Sequence, residues 1–314
     1  RPARGPGDYR MPLTPMRRLP VPPAPALWLR LAGGCRGLRL APYAADRPAA
    51  VPAGVAVGSG SIASATGCAL DYRTYRPGVD AAERMDNAGA ADSGDWIILA
   101  HGFLRSQTRM HGLAAAMAGD GMQVATLDFC NQKPWAGRHV QNSRDMIALA
   151  GRLDAKRVIY AGFSAGGLAA RRAARAAPRA YGIRTLDRVD AQGRGGGAAR
   201  DLDKPRLAMA GEPTNCNALD NGQAVFRATD RARVQRIVGA GHCDFEAPTD
   251  GLCELVCADP DGPERTHRAE VIAGATAAAR ALLAGDAAGW SPGVTANARS
   301  GPAAQLGGAH LREP

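Results

Sequence analysis

Long apolar runs and aromatic residues are scarce in this chain, and each shortage narrows what the protein can do. No stretch of the 314 residues approaches the roughly 20 consecutive apolar residues that a membrane-crossing helix needs. Only 5% of the residues are aromatic, and we see no interleaving of aromatic and basic residues typical of proteins that bind single-stranded nucleic acids. The sequence therefore argues against a membrane-spanning protein and against a nucleic-acid partner.

The net charge of +10 does not change that conclusion, because most of it lies at the amino end. Residues 1–60 contain nine arginines and two aspartates, a net charge of +7, which leaves +3 for the rest of the chain. Residues 1–60 and 286–314 are rich in Pro, Gly, Ala and Arg and show little periodicity. We therefore predict a disordered leader over 1–60, one folded domain over 61–285 and a disordered tail over 286–314.

The leader contains "MRRLPVPPAPALWLRLAGGC", in which basic residues precede an apolar run and small residues before Cys35. This order resembles a bacterial export or lipoprotein signal. We therefore favour an exported protein (periplasmic, lipoprotein or secreted) over a cytoplasmic one. Attachment to a membrane is expected only through a lipidated Cys35.

The cysteine count agrees with export. Removing or lipidating Cys35 leaves six cysteines, an even number that can form three disulfides in an oxidising compartment. The spacing leaves their pairing open. We expect Cys243, Cys253 and Cys257 to link loops, together with Cys216.

A metal site is the alternative use of these cysteines. Cys243, Cys253 and Cys257 lie near His242 and His267 in the sequence. However, the segment lacks the second close cysteine pair that is typical of structural zinc. We expect no metal.

Short apolar runs alternate with helical patterns along residues 61–285. Strands are predicted at 95–103, 122–129, 157–164, 182–190, 205–212 and 232–242, and helices at 107–119, 141–153, 165–177 and 266–284. An earlier segment, 67–78, has the alternation of an edge strand. This order predicts an α/β fold with a doubly wound, mostly parallel sheet and helices on both faces. No long insertion separates the fourth and fifth strands, so we expect no large lid domain and an open pocket.

The segment "IYAGFSAGGLAARRAAR" (159–175) places a serine, Ser164, between an apolar strand and an alanine-rich helix. A serine on such a sharp turn has a strained backbone and an accessible hydroxyl, and the flanking glycines avoid collisions between strand and helix. The G-x-S-x-G pattern alone is weak in a chain with 39 glycines. Its position between a strand and a helix makes Ser164 the candidate nucleophile.

A serine hydroxyl needs a base, and that base needs an acid to orient it. His242, in "GAGHCDFEAPTD", follows the last predicted strand and is the candidate base. Asp187 follows the fourth strand and is the first candidate for the acid, with Asp190 and Glu212 as alternatives. All of them lie at the carboxyl ends of strands, where the chemistry of parallel sheets gathers.

The anion that forms on a substrate oxygen needs backbone donors. In "LAHGFLRS", Gly102 lets the chain turn so that the amide of Phe103 points into the site, and the amide of Ala165 at the start of the helix is the second donor. His101 is expected to shape this loop and not to transfer protons.

Taken together, these segments resemble the α/β-hydrolase family over residues 67–284, and within it the chlorophyllase-like and cutinase-like branch (polyester hydrolases, dienelactone-hydrolase type). The resemblance rests on "HGF" (101–103), "GFSAGG" (162–167), "LDRVD" (186–190) and "GAGHCDFE". It implies Ser164 as nucleophile, His242 as base and Asp187 as acid. Chlorophyllases have H-S-R where this chain has F-S-A, and a proline where it has Arg188, so we expect a generic carboxylic ester, not chlorophyll.

The predicted function is hydrolysis of a small or polymeric carboxylic ester without a cofactor. Two alternatives remain open from the sequence. One is a non-catalytic binding protein on the same fold, in which Ser164 is only a turn residue. The other is a thioesterase or amidase that uses the same three residues.

Overall fold

A computed structural model describes residues 50–78, 94–130, 138–178, 180–186, 204–227, 232–257, 267–288 and 290. The strands are β1 (Val55–Ala63), β2 (Ala69–Pro77), β3 (Asp95–Ala100), β4 (Val124–Leu127), β5 (Arg157–Phe163), β6 (Ala180–Leu186), β7 (Arg206–Ala210) and β8 (Ala232–Arg236). The helices are α1 (His111–Gly119), α2 (His139–Arg152), α3 (Ala165–Ala176), α4 (Gln223–Arg227), α5 (Gly251–Cys257) and α6 (Arg268–Leu283). Short 3-10 turns form at Gln107–Met110 and His242–Phe245.

The described strands form one sheet in the order β1-β2-β4-β3-β5-β6-β7-β8. β2 pairs antiparallel with both β1 and β4, and all the other neighbours are parallel. Each of the six strands predicted for the parallel part is present within or close to its predicted range. The predicted doubly wound, mostly parallel sheet is therefore confirmed.

The antiparallel edge differs from the prediction. The segment 67–78 forms β2, but β2 is not the edge, because β1 covers it along its whole length. β1 begins at Val55, before the domain boundary expected at residue 61. Its sequence, VAVGSGSIA, is rich in glycine and serine and largely exposed, so it lacks the apolar alternation that marks a strand. The ring of Tyr72 on β2 lies over Gly60, where a side chain would collide with it.

Helices cover both faces of the sheet, and the central strand β3 shows why. Ile97 and Leu99 point to one face, into an apolar cluster that includes residues of α1 and α6. Trp96, Ile98 and Ala100 point to the other face, towards α2 and α3. Every side chain of β3 is buried, and after Asp95 the strand reads as one continuous apolar run, as expected for a parallel sheet covered on both sides.

Replacing Leu99 with alanine tests the central position of β3. Leu99 is fully buried, so we expect Leu99→Ala to lower the free energy of unfolding by about 2–5 kcal/mol, measured by urea denaturation. Leu255→Ala is the matched control, because Leu255 is 81% exposed and its truncation should change stability by less than about 0.5 kcal/mol. Equal losses in the two variants would contradict this packing.

Candidate active site

Ser164 lies alone between the end of β5 at Phe163 and the start of α3 at Ala165. Its backbone has φ 51° and ψ −122°, a strained conformation for a residue with a side chain. The Ser164 amide donates to the carbonyl of Leu186 at the end of β6 (2.9 Å), and its own carbonyl accepts from Gly167 (3.0 Å). These bonds hold the strained turn in place. A sharp turn of this kind between a strand and a helix is known as a nucleophile elbow, and the turn at Ser164 is called the elbow below.

Two glycines make the elbow sterically feasible. A Cβ on Gly162 would lie 2.7 Å from the amide nitrogen of Gly167 and closer still to the carbonyl of Gly166. A Cβ on Gly166 would lie 2.8 Å from the carbonyl oxygen of Ala100 and closer still to that of His101. The helix therefore starts in backbone contact with the end of β3, which only glycine allows.

The turn after β3, residues 102–105 and called the β3 turn below, lies directly against the elbow. A Cβ on Gly102 would meet the Phe163 ring at 3.0 Å and the Cβ of Ser164 at 3.2 Å. The Arg105 amide donates to the Gly102 carbonyl (3.4 Å) and closes the turn, whose tip holds Phe103 and Leu104. The structure thus places the turn that carries Phe103 beside Ser164, and Ala165 at the first residue of α3.

His101 is buried, and backbone groups engage both of its ring nitrogens. Nδ1 lies 2.7 Å from the carbonyl oxygen of Gly102, and the amide of Phe129 donates to Nε2 (3.2 Å). One neutral tautomer, with the proton on Nδ1, satisfies both contacts. Burial lowers the pKa of His101 below its ordinary value of 6.5, and the hydrogen bond to Gly102 and the charge of Asp128 oppose this only in part. His101 therefore ties the β3 turn to the end of β4.

His242 opens the 3-10 turn His242–Phe245, called the histidine turn below, after β8. Its side chain is buried, and its ring centroid lies 4.7 Å from that of Phe163, the residue before the elbow. His242 and Ser164 line the same cavity. The structure thus brings the predicted nucleophile and the predicted base to one site.

Of the three candidate acids, only Glu212 lies within the described residues; Asp187 and Asp190 lie outside them. The Glu212 carboxylate accepts a hydrogen bond from the amide of Gly239 (3.1 Å), and its own amide donates to the carbonyl of Ala240 (2.7 Å). Glu212 therefore holds the loop that leads into His242.

The cavity beside Ser164 has a volume of about 220 Å³ and is lined mainly by apolar groups. The lining residues come from the β3 turn, the elbow, the histidine turn, the loop after β7 and helix α5: Phe103, Leu104, Arg105, Phe163, Ser164, Cys216, His242, Glu246, Leu252, Cys253, Val256 and Cys257. Such a cavity suits an apolar group held next to the Ser164 hydroxyl.

Two cysteine pairs attach α5 to the rest of the site. Cys253 pairs with Cys243, the neighbour of His242, and Cys257 pairs with Cys216 in the loop after β7. These are the four cysteines expected to link loops. A third pair joins Cys68 and Cys130. The sulfurs of Cys243, Cys253 and Cys257 lie within 4.8 Å of one another, which also suits a metal, but in this pairing all of them are bonded to cysteines.

The sequence did not reveal two parts of the cavity wall. One is the apolar face of α5, with Leu252 and Val256, because a seven-residue helix is too short for a periodic signal. The other is an ion pair between Arg105 and the fully buried Glu246. These two residues are 141 positions apart, so spacing cannot pair them. The sequence signal is weak, because Glu246 is one of three acidic residues in the segment HCDFEAPTD (242–250).

Within the part of the chain that the structure describes, no helix has both the length and the apolar character required to cross a membrane. Neither a family model nor a curated protein matches the chain.

Among solved structures, the chain is similar to a ferulic acid esterase from Streptomyces cinnamoneus, with a TM-score of 0.51, 18% identity, and coverage of 79% of this chain and 94% of that one. It is also similar to a hypothetical protein from Pseudomonas aeruginosa (TM-score 0.48, 15% identity, 67% and 93% covered). A CIB-like hydrolase from Thermoplasma acidophilum is a third (TM-score 0.49, 14% identity, 60% and 90% covered).

The strand order, with its single antiparallel strand β2 between β1 and β4, and the likeness to the esterase show the α/β-hydrolase fold. At 18% identity that likeness establishes the fold alone.

Substituting Gly166 tests the contact between helix and strand at the elbow. An added Cβ overlaps the carbonyls of Ala100 and His101, so we expect Gly166→Ala to lower the free energy of unfolding by about 1–3 kcal/mol. Gly151→Ala on α2 is the matched control. Nothing lies within 4 Å of a Cβ at Gly151, so alanine there should stabilise by about 0.5–1 kcal/mol. Urea denaturation measures both, and a neutral Gly166→Ala would contradict the close approach.

The buried neutral His101 predicts a pH-dependent stability. Below pH 6.5 the unfolded chain binds a proton at this position that the folded protein excludes, so stability falls as the pH falls, by at most about 1.4 kcal/mol per pH unit. We expect the wild type to lose more free energy of unfolding between pH 7.5 and pH 5 than His101→Gln, which no longer titrates. If the free energy of unfolding falls equally with pH in the two proteins, His101 does not contribute to the pH dependence of stability.

Proposed function

We propose that this protein is a serine hydrolase that cleaves a carboxylic ester through an acyl-enzyme. The observation that carries the proposal is the strained Ser164 turn, which opens into the same cavity as His242. A turn residue without function has no need of a conformation that costs roughly 1–3 kcal/mol. The esterase of the same fold supports an ester over other substrates.

In the proposed mechanism, the Ser164 hydroxyl attacks the ester carbonyl while His242 accepts its proton. The amides of Phe103 and Ala165 donate to the oxygen that becomes negatively charged. His242 then returns the proton to the departing alcohol and leaves the acyl group on Ser164. A water molecule, deprotonated by His242, attacks the acyl-enzyme and releases the acid.

The acid that orients His242 is proposed to be Asp187, with Asp190 and Glu212 as alternatives. The carboxylate and the amide of Glu212 both bind the loop before His242, where they hold the backbone. That role favours an acid after β6 for the orienting position. No cofactor takes part in this chemistry.

The substrate is proposed to be a carboxylic ester, small or polymeric, with an apolar group next to the ester bond. Phe103, Leu104, Leu252 and Val256 line the cavity and are all at least 40% exposed. Exposed apolar side chains around a cavity are typical of a binding surface for an apolar ligand.

An oxidising compartment is the proposed location of the protein. Three cysteine pairs lie within the described residues, and such pairs persist outside the reducing cytosol. Export, in periplasmic, lipoprotein or secreted form, agrees with that pairing.

The test is hydrolysis of p-nitrophenyl esters, from acetate to palmitate, by the full chain and by Ser164→Ala. We expect the variant to lose a thousandfold or more of the turnover, about the contribution of a nucleophile in such a triad. Ser143→Ala is the matched control, because Ser143 is equally buried but its hydroxyl donates to Val140 on α2. Its turnover should not change.

Labelling with a fluorophosphonate gives an independent readout, since only an activated serine reacts. The wild type and Ser143→Ala should label at one site, and Ser164→Ala should not. A folded wild type that neither labels nor turns over any ester would overturn the proposal in favour of a non-catalytic binding protein. Preference for thioesters or amides over esters would reassign the substrate class.

A further inference from the structure

The Arg105 guanidinium joins two segments that meet at the cavity. Its Nε donates to one carboxylate oxygen of Glu246 (2.6 Å) and its Nη2 donates to the other (2.5 Å), so the pair has two-point geometry. Arg105 closes the β3 turn, two residues after Phe103. Glu246 directly follows the histidine turn, and its amide donates to the carbonyl of Cys243 (3.1 Å). One ion pair therefore links the turn that carries Phe103 to the turn that carries His242.

The same guanidinium also reaches the start of α5. Nη2 of Arg105 donates to Asp250 (2.9 Å), and the other carboxylate oxygen of Asp250 pairs with Arg109 (2.5 Å). Asp250 in turn accepts the amide of Cys253 (3.0 Å), at the first turn of α5. The helix that forms the apolar wall of the cavity is thus attached to the same arginine.

The pair is buried and charged. The Glu246 side chain is fully buried and that of Arg105 is only 10% exposed. Burial alone would lower the pKa of Arg105, but the hydrogen bonds and charges of Glu246 and Asp250 outweigh burial and raise it. Burial would likewise raise the pKa of Asp250, yet Arg105 and the Cys253 amide hold it below its ordinary range. Arg105 and Asp250 therefore stay ionised.

A gain in folding stability does not explain why the protein has this buried ion pair. Removing two ions from water offsets most of their mutual attraction, and apolar residues of similar volume often stabilise a protein equally well. A two-point arginine–carboxylate pair does fix the relative position and orientation of the segments that carry it. Arg105 and Glu246 both line the cavity beside Ser164 and His242, where position matters for chemistry.

We propose that Arg105 and Glu246 are positioning residues. Their ion pair holds the β3 turn and the histidine turn at a fixed separation. The Phe103 amide and His242 can therefore act on the same reacting group. Arg105 extends this arrangement to α5 through Asp250. The inference rests on the proposed ester hydrolysis and deepens it, because it assigns a role to two residues outside the triad and the anion site.

The test compares Glu246→Gln and Arg105→Lys with the wild type in full-length protein. Glu246→Gln keeps the shape of the side chain but removes its charge, and Arg105→Lys keeps the charge but cannot bind both oxygens in the same fork. We expect kcat per active site to fall about ten- to hundredfold in both, with KM changing less than about threefold, because misplacement affects the reacting groups more than ligand binding. Complete labelling by a fluorophosphonate counts the active sites.

Asp95→Asn is the matched control. Asp95 is a buried carboxylate that also binds an arginine, Arg157, at two points, but it lies at the start of β3, the end of the sheet opposite the site. Its replacement should lower stability in urea while leaving kcat per labelled site within about threefold of the wild type. If Glu246→Gln does not fold, Arg105→Lys still tests the geometry, since it keeps a cation beside both carboxylates.

The outcomes separate the two proposals. A wild type that labels and turns over, with both variants within threefold of it per site, overturns the positioning role alone. An equal fall of kcat in Asp95→Asn also overturns it, because the effect would then be one of general stability. A wild type that neither labels nor turns over overturns the proposed function, and the positioning role with it. A selective fall in the two variants supports both.

Discussion

The backbone contact between the start of α3 and the end of β3 is the constraint on which the site depends. Gly162 and Gly166 permit an approach that any side chain would prevent, and the approach forces Ser164 into its strained conformation. Because β3 and β5 are neighbours in a sheet buried on both faces, the strain cannot relax by a shift of either strand. The core therefore stabilises a turn that would be unfavourable on its own.

Around this rigid centre, polar contacts position the more exposed segments. The β3 turn is held at both ends, by His101 on one side and by Arg105 on the other. The loop before His242 is held by Glu212, and the segment after it by Glu246. The contact between Arg105 and Glu246 and the contact between Glu212 and Gly239 join residues that are distant from one another in sequence. The apolar core thus fixes the serine, while charged and hydrogen-bonded side chains fix its surroundings.

The strands and helices of the sheet follow from the sequence because their signals are local. Buried parallel strands read as short apolar runs, and β3 to β8 fall where those runs lie. β1 could not be predicted from the sequence, because its glycines and serines carry no apolar pattern and its position depends on pairing with β2. The position of Ser164 at a turn between a strand and a helix could be predicted from the local sequence. Glu246 could not, because its partner lies 141 residues away and only the folded chain brings the two together.

The two cysteine pairs at α5 have a consequence for how the protein is made. Strands β1 to β7 and the elbow lie outside both loops closed by these pairs, and of the strands only β8 lies inside one of them. The wall of the cavity, in contrast, is attached covalently to Cys243, next to His242, and to Cys216. In a host whose cytosol keeps thiols reduced, α5 would therefore lose both attachments and the wall of the cavity would be loosened. An oxidising environment, which the three cysteine pairs indicate, therefore keeps the wall of the cavity attached.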